Sequence, residues 1–293
     1  MRKTAVVMIA LVIASAGVAD ADRTVNESRP LDPGGQVEIS NISGEVEVIG
    51  WSGDEVLIEG TLEHGVKELA ISSGGSRVSI EVTQMRRRGY SADAYLTVKI
   101  PSAAGLEVET VSADITVDGV DGEVELESVS GKVEVSGQPS LLEAASVSGN
   151  VVATATAGRS ELESVSGKVI VRSASGRLEA GSVSGNIEIE GGELDSLNAE
   201  TVSGSIFCAA RPSGSGRFSL ETMSGSIEIV VSANADADYS VETYSGSIRN
   251  TIGPKPRRTD AYGPGKELHF STGSGGSRVI IESFSGSVEI RTD

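Results

Sequence analysis

A serine nucleophile needs a base within reach and an acid to orient that base. This chain offers only His64 and His269 as bases, far apart in sequence and outside any metal-ligand spacing. Its single cysteine, Cys208, has no flanking His or basic cluster to lower the thiol pKa. No phosphate-binding loop is present, and "GSGGS" at 273–277 lacks the Asp of a Gly-rich calcium repeat. The carboxylates are different, because their placement is periodic. Aligned on the Ser of a recurring Ser-Gly pair, nine copies carry seven glutamates three residues upstream: Glu109, Glu127, Glu163, Glu200, Glu221, Glu242 and Glu282. Two residues further back stand Glu107, Glu125, Glu143, Glu161 and Glu179. Like charges about 4.8 Å apart repel by about 0.9 kcal/mol even in water. Such a ladder is either well solvated or neutralised by cations, and calcium is the candidate ion, since it accepts several carboxylate oxygens on a flexible site.

Two basic islands interrupt the acidity, "MRRRGY" (85–90) and "KPRR" (255–258). The second lies in "GPKPRRTDAYGPGKE" (253–267), whose three prolines deny it a place in a central strand. It is expected to leave the scaffold as a loop. Lys255, Arg257 and Arg258 would meet an anionic envelope component there, with Tyr262 adding an amphipathic surface.

The elements that position these groups follow from the repeat. The corner serines Ser112, Ser130, Ser148, Ser166, Ser184, Ser203, Ser224, Ser245 and Ser285 are spaced by 18, 18, 18, 18, 19, 21, 21 and 40 residues. A period near 20 indicates stacked rungs, and the last gap is close to two rungs, one without its Ser-Gly. Three and five residues after the corner the chain is almost always apolar, as at Val169 and Val171 or Ile187 and Ile189. The same period-two alternation precedes the corner, as at Leu106 and Val108. The residue just before each Ser is apolar too, from Val111 to Phe284, out of step with that alternation. Such a break marks where a strand turns, and the Gly after Ser permits a tight or left-handed backbone there. The predicted fold is all-β, a right-handed single-stranded parallel β-helix or β-solenoid with rungs of 18–21 residues.

Composition agrees. Aromatic residues make up 3%, so the core must be built of small and medium aliphatic layers. Arg2 and Lys3, the apolar run at 4–19 and "ADA" (19–21) predict a signal peptide over 1–21, since the run is shorter than the roughly 20 residues of a membrane span. Its removal leaves 22 basic against 41 acidic residues, a net charge of −19. That balance excludes a nucleic-acid partner and disfavours an anionic membrane surface. No second apolar stretch follows, so no transmembrane segment is expected in the mature chain. One cysteine permits no internal disulfide, and its inward column makes Cys208 a core residue. Residues 22–105 alternate less regularly and are expected to form a β cap with the first irregular rungs; 106–293 form the regular solenoid, with the loop insertion at 253–267.

The opening "GGQVEISNISGEVEVIGWSGDEVLIEG", the passage "AYLTVKIPSAAGLEVETVSADITVDGV" and the "SVSGKVEV"-like rungs after it together resemble the bacterial "putative adhesin" family, a domain of unknown function made of β-strand repeats. The resemblance covers 35–293 and implies a β-helix and an envelope location; it brings no catalytic residues. The insertion at 253–267 and the corner-less rung beside it depart from the plainest pattern. The expected protein is an exported, non-enzymatic, adhesin-like binding or structural component of the periplasm or cell surface. Its partner would be an envelope protein or polysaccharide, and it would be a monomer or a weak end-to-end associate. The rival reading is a β-helical carbohydrate-active enzyme, lyase or hydrolase. That chemistry needs a local cluster that breaks the repeat, whereas these acidic residues obey it.

Overall fold

The computed structural model describes residues 22–85, 92–154, 156, 158–232, 234–259 and 263–292. The leader at 1–21, Arg86–Tyr90 of the first basic island and Tyr262 lie outside the described residues. All regular structure among the described residues is strand, and no helix there is long and apolar enough to cross a membrane. Alternation makes the strands. In Val133–Ser136 the two valines are buried and the residues between and after them half-buried, because successive side chains leave opposite faces. The chain divides into two compact units, Met1–Ser140 and Leu141–Asp293. The expected cap at 22–105 therefore shares a unit with the first two regular rungs.

The first unit contains β1 (Arg23–Pro30), β2 (Gln36–Asn41), β3 (Gly44–Trp51), β4 (Glu55–Leu62), β5 (Val66–Ser73), β6 (Arg77–Gln84), β7 (Ala94–Pro101), β8 (Gly105–Thr110), β9 (Asp114–Asp118), β10 (Glu123–Ser128) and β11 (Val133–Ser136). Regular rungs pair in parallel and in register, Leu106 with Val124 and Ile115 with Val133. The first rung in sequence is not the first in space. Strand β2 lies between β6 and β8, and β3 between β7 and β9, all parallel. Antiparallel strands then close the outer side: β5 on β6, β4 on β7, and β1 on β4.

The second unit contains β12 (Leu141–Ser146), β13 (Val151–Thr154), β14 (Arg159–Ser164), β15 (Val169–Ser182), β16 (Ile187–Thr201), β17 (Ile206–Cys208), β18 (Arg211–Ser224), β19 (Ile227–Val231), β20 (Ala237–Thr243), β21 (Ser247–Asn250), β22 (Arg257–Arg258), β23 (Lys266–Thr272), β24 (Ser277–Ser285) and β25 (Ser287–Thr292). Its core is a stack of aliphatic columns. Val169, Ile187, Ile206, Ile227, Val288 and Ile248 succeed one another in register, all buried. Each contributes about 1.5–3 kcal/mol by leaving water.

The rung order again departs from the sequence. Strand β24 inserts between β18 and β20, and β25 between β19 and β21. The 40-residue gap therefore holds no corner-less parallel rung. It holds β23, which runs antiparallel along β20, with Tyr239 stacked on Phe270 at 4.6 Å, and β22, antiparallel to β23. Parallel registry fixes which faces match but not which rung is the neighbour, since every rung carries the same pattern. Both units thus place antiparallel strands over a parallel edge that would otherwise recruit other chains. The sheet is mixed, not purely parallel.

Of the two uses expected for the corner glycine, a tight or a left-handed backbone, the corners show the first. Gly167, Gly185 and Gly204 do not have positive φ. They are required because backbone approaches backbone: a Cβ on Gly185 would run into the carbonyl oxygen of Gly167, and one on Gly204 into that of Gly185.

Candidate functional site

The strand leading into each corner dictates what the corner displays. Counting back from Ser166, Val165, Glu163 and Glu161 face outward, while Ser164 and Leu162 face inward. The apolar residue before each Ser is therefore in step with the outward set. The inward position beside it holds Ser or Thr in every regular rung: Thr110, Ser128, Ser146, Ser164, Ser182, Thr201, Thr222, Thr243 and Ser283. Hydrophobicity alone assigns these two columns the wrong way round. The corner backbone explains the inversion. Ser164 Oγ accepts from Gly167 N at 2.9 Å and donates to the Gly149 carbonyl at 3.0 Å, one rung away. Thr201 repeats the arrangement with Gly204 and Gly185, and Ser128 accepts from Gly131 N. A sharp corner leaves N–H and C=O groups without ladder partners, and a buried hydroxyl satisfies them. At Thr243 and Ser283 the hydroxyls are buried without such a bond.

The result outside is an apolar ridge. In the second unit Val147, Val165, Val183 and Val202 are 44–47% exposed, Met223 58%, Phe284 53% and Tyr244 64%. Corner hydrogen bonds place them on successive rungs: Ser166 N donates to Val147 O, Ser184 N to Val165 O, Ser203 N to Val183 O, Ser224 N to Val202 O and Ser245 N to Phe284 O. Met223 is brought beside Phe284 by the pairing of Ser224 with Ser285. The ridge ends in a stacked pair, Phe284 and Tyr244, with ring centroids 4.8 Å apart and planes within 5°. Val111 and Val129, 48% and 47% exposed, form the same feature in the first unit.

The predicted glutamate ladder borders this ridge two residues upstream. All seven members are exposed. Glu109 pairs in register with Glu127; in the second unit the order is Glu163, Gly181, Glu200, Glu221, Glu282 and Glu242. Among the described residues none of the five glutamates in the second unit's column makes an ion pair. Ion pairs there use other columns, such as Arg159 with Glu179 at 3.3 Å and Lys168 with Glu188 at 2.8 Å. Among the described residues no group of three or more His, Cys, Asp or Glu side chains is placed to hold a metal ion.

The remaining candidates are dispersed. Lys255, Arg257 and Arg258 are exposed, but Arg257 and Arg258 belong to β22, where they face Glu267 and Lys266 of β23. His269 is exposed on β23 opposite Ser240, and His64 forms a bridge with Val66. Cys208 is fully buried, and burial pushes its thiol up to about 12. Asp236 ties down a turn: Ser274 and Gly276 backbone N–H groups and the Ser274 hydroxyl donate to it and hold its pKa below the usual carboxylate value.

A family model described as Toastrack DUF4097 matches residues 30–291. No curated protein matches the chain. Solved structures that resemble it include a "putative cell adhesion protein" from Clostridium sporogenes, 9% identical with a TM-score of 0.24, covering 92% of this chain and 100% of that one. A "putative adhesin" from Bacteroides fragilis is 10% identical with a TM-score of 0.44, covering 92% and 97%. A "putative lipid binding protein" from Parabacteroides distasonis is 14% identical with a TM-score of 0.43, covering 93% and 97%.

Proposed function

This chain belongs to the Toastrack DUF4097 family, and from that premise we propose that it is a non-enzymatic, adhesin-like binding scaffold of the bacterial envelope. The leader at 1–21 exports it to the periplasm or cell surface, and the regular rungs wind as a right-handed β-helix, the hand that parallel connections take. The observation that carries the reading is the ridge. A soluble surface rarely keeps a contiguous apolar strip uncovered unless something docks on it. In the second unit the residue before each corner Ser puts an apolar side chain on the same outward line. Repetition also argues for binding over catalysis: a group repeated at every level makes a surface, whereas a reaction needs one unrepeated constellation.

The test compares the purified protein with its Val165→Ser/Val183→Ser/Val202→Ser variant, both immobilised and exposed to envelope extract. All three positions are exposed, so the fold should hold. The reading predicts a component retained by the native protein and lost from the variant. Equal retention, or depolymerisation of an acidic polysaccharide incubated with the protein, contradicts it.

A further inference from the structure

We propose that the ridge of the second unit receives a basic amphipathic α-helix of a partner protein, lying along the stack of rungs with one helical turn per rung. This rests on the reading of the ridge as a binding surface and adds the chemistry of what it binds.

Spacing selects the helix. Rungs recur at about 4.8 Å, and residues on one helix face recur every 3.5 positions on average, or about 5.3 Å. The mismatch is about a tenth per rung and accumulates to about half a rung along the whole ridge, which long flexible side chains absorb. A strand presents same-face residues about 6.7 Å apart and falls a whole rung out of step within three residues of contact. Nor can a strand pair with the corner backbone, because the Val147, Val165, Val183 and Val202 carbonyls already accept from the next rung. From Val147 to Tyr244 the ridge crosses seven rungs, about 29 Å, which matches a helix of about 19 residues.

Charge selects the partner. Two residues along the strand, about 7 Å to one side of the ridge, runs the column of Glu163, Glu200, Glu221, Glu282 and Glu242, exposed and without ion pairs among the described residues. On the other side, two residues after each Ser, stand Lys168, Asn186, Ser205, Ser226, Ser287 and Ser247, almost neutral. A complementary helix has an apolar seam with Lys or Arg along one flank and uncharged polar residues along the other. A second copy docked antiparallel would bring carboxylates against carboxylates, and one docked parallel would set them over the almost neutral flank. Neither supplies the cations the column lacks, and an anionic chain would be repelled.

The probe is a fluorescently labelled 20-residue helical peptide with Leu along the seam and Lys on one flank, titrated into the purified protein. Two control peptides are its scrambled form and a form with Glu in place of Lys. Saturable binding is expected, with both controls at least about tenfold weaker. Val165→Ser/Val183→Ser/Val202→Ser should weaken binding at least about thirtyfold, since half-exposed valines lose the burial they would gain. Glu163→Gln/Glu200→Gln/Glu221→Gln should weaken it about tenfold at low salt and little at high salt. Equal binding of the scrambled peptide, or no loss in the valine variant, overturns the proposal. If the helix fails to bind while the valine variant loses an envelope component, the helix is wrong and the binding surface stands. If the variant loses neither, both fall.

Discussion

Replacing Ser164 with Ala removes one oxygen from the molecule and should cost far more than its position in a Ser-rich repeat suggests. The residue is 3% exposed, and its hydroxyl accepts from Gly167 N and donates to Gly149 O. Without it a buried N–H at Gly167 loses its partner outright, while the half-buried Gly149 carbonyl can recruit some water. Each unsatisfied buried group costs about 1–3 kcal/mol, so the corner should lose about 2–4 kcal/mol. With a urea m-value of roughly 3 kcal/mol per M, the midpoint falls by about 1 M, followed by far-UV circular dichroism. Stacked rungs can lose cooperativity, so exchange of the Gly167 amide gives a local second reading and should accelerate. Ser164→Thr should keep the stability within about 1 kcal/mol of the native protein, because Thr fills this position at Thr110, Thr201 and Thr222. Val165→Ser, one residue away but exposed, should change stability by no more than about 0.5 kcal/mol. A Ser164→Ala protein as stable as the native one, or a Val165→Ser protein as damaged, refutes the hydroxyl clamp.

Further tests address the rung order, the ladder and the basic loop. In a Cys208→Ala background, Ser219→Cys with Ile280→Cys should form a disulfide on mild oxidation, since the two positions are register partners. Ser219→Cys with Ser240→Cys should not, because β24 lies between them and two rungs exceed the roughly 7 Å that a disulfide bridges. Millimolar calcium and sodium at equal ionic strength should raise the melting temperature equally, as screening requires. An extra shift with calcium would place a cation site on the glutamate column. Lys255→Gln/Arg257→Gln/Arg258→Gln should leave the circular dichroism spectrum and melting unchanged while abolishing retention on an anionic polysaccharide resin; unchanged retention removes these residues from any binding role.

The strands were legible because period two is written in β-branched residues: Val169, Ile187 and Ile206 each stand three residues past a Ser and each prove buried. The corner was half legible. Its place was marked by Ser-Gly, but hydropathy sends Val165 inward and Ser164 outward, and backbone hydrogen bonding reverses both. The clue was present, since the position two before the corner Ser is Ser or Thr in every regular rung while its neighbour varies from Val to Met, Tyr and Phe. At Ser128, Ser164 and Thr201 that polar position takes the N–H of the corner Gly. The rung order was not legible at all. Glu221, Glu242 and Glu282 stand in copies with the same pattern, and nothing in that pattern says that the last copy enters between the other two. The insertion at 253–267 signalled an interruption, and its length is what lets the chain lay β23 antiparallel before returning.

The central claim is that the apolar residue before each corner Ser lies outside, so that the rungs build a ridge. Thiol labelling reads this directly. In the Cys208→Ala background, Val165→Cys and Val169→Cys place the same side chain four residues apart in one rung, at 44% and 0% exposure. The native Val165→Cys protein should react with a soluble thiol reagent as fast as a free peptide, and the Val169→Cys protein only after unfolding. Protection at both positions would bury the ridge in the core and contradict the account.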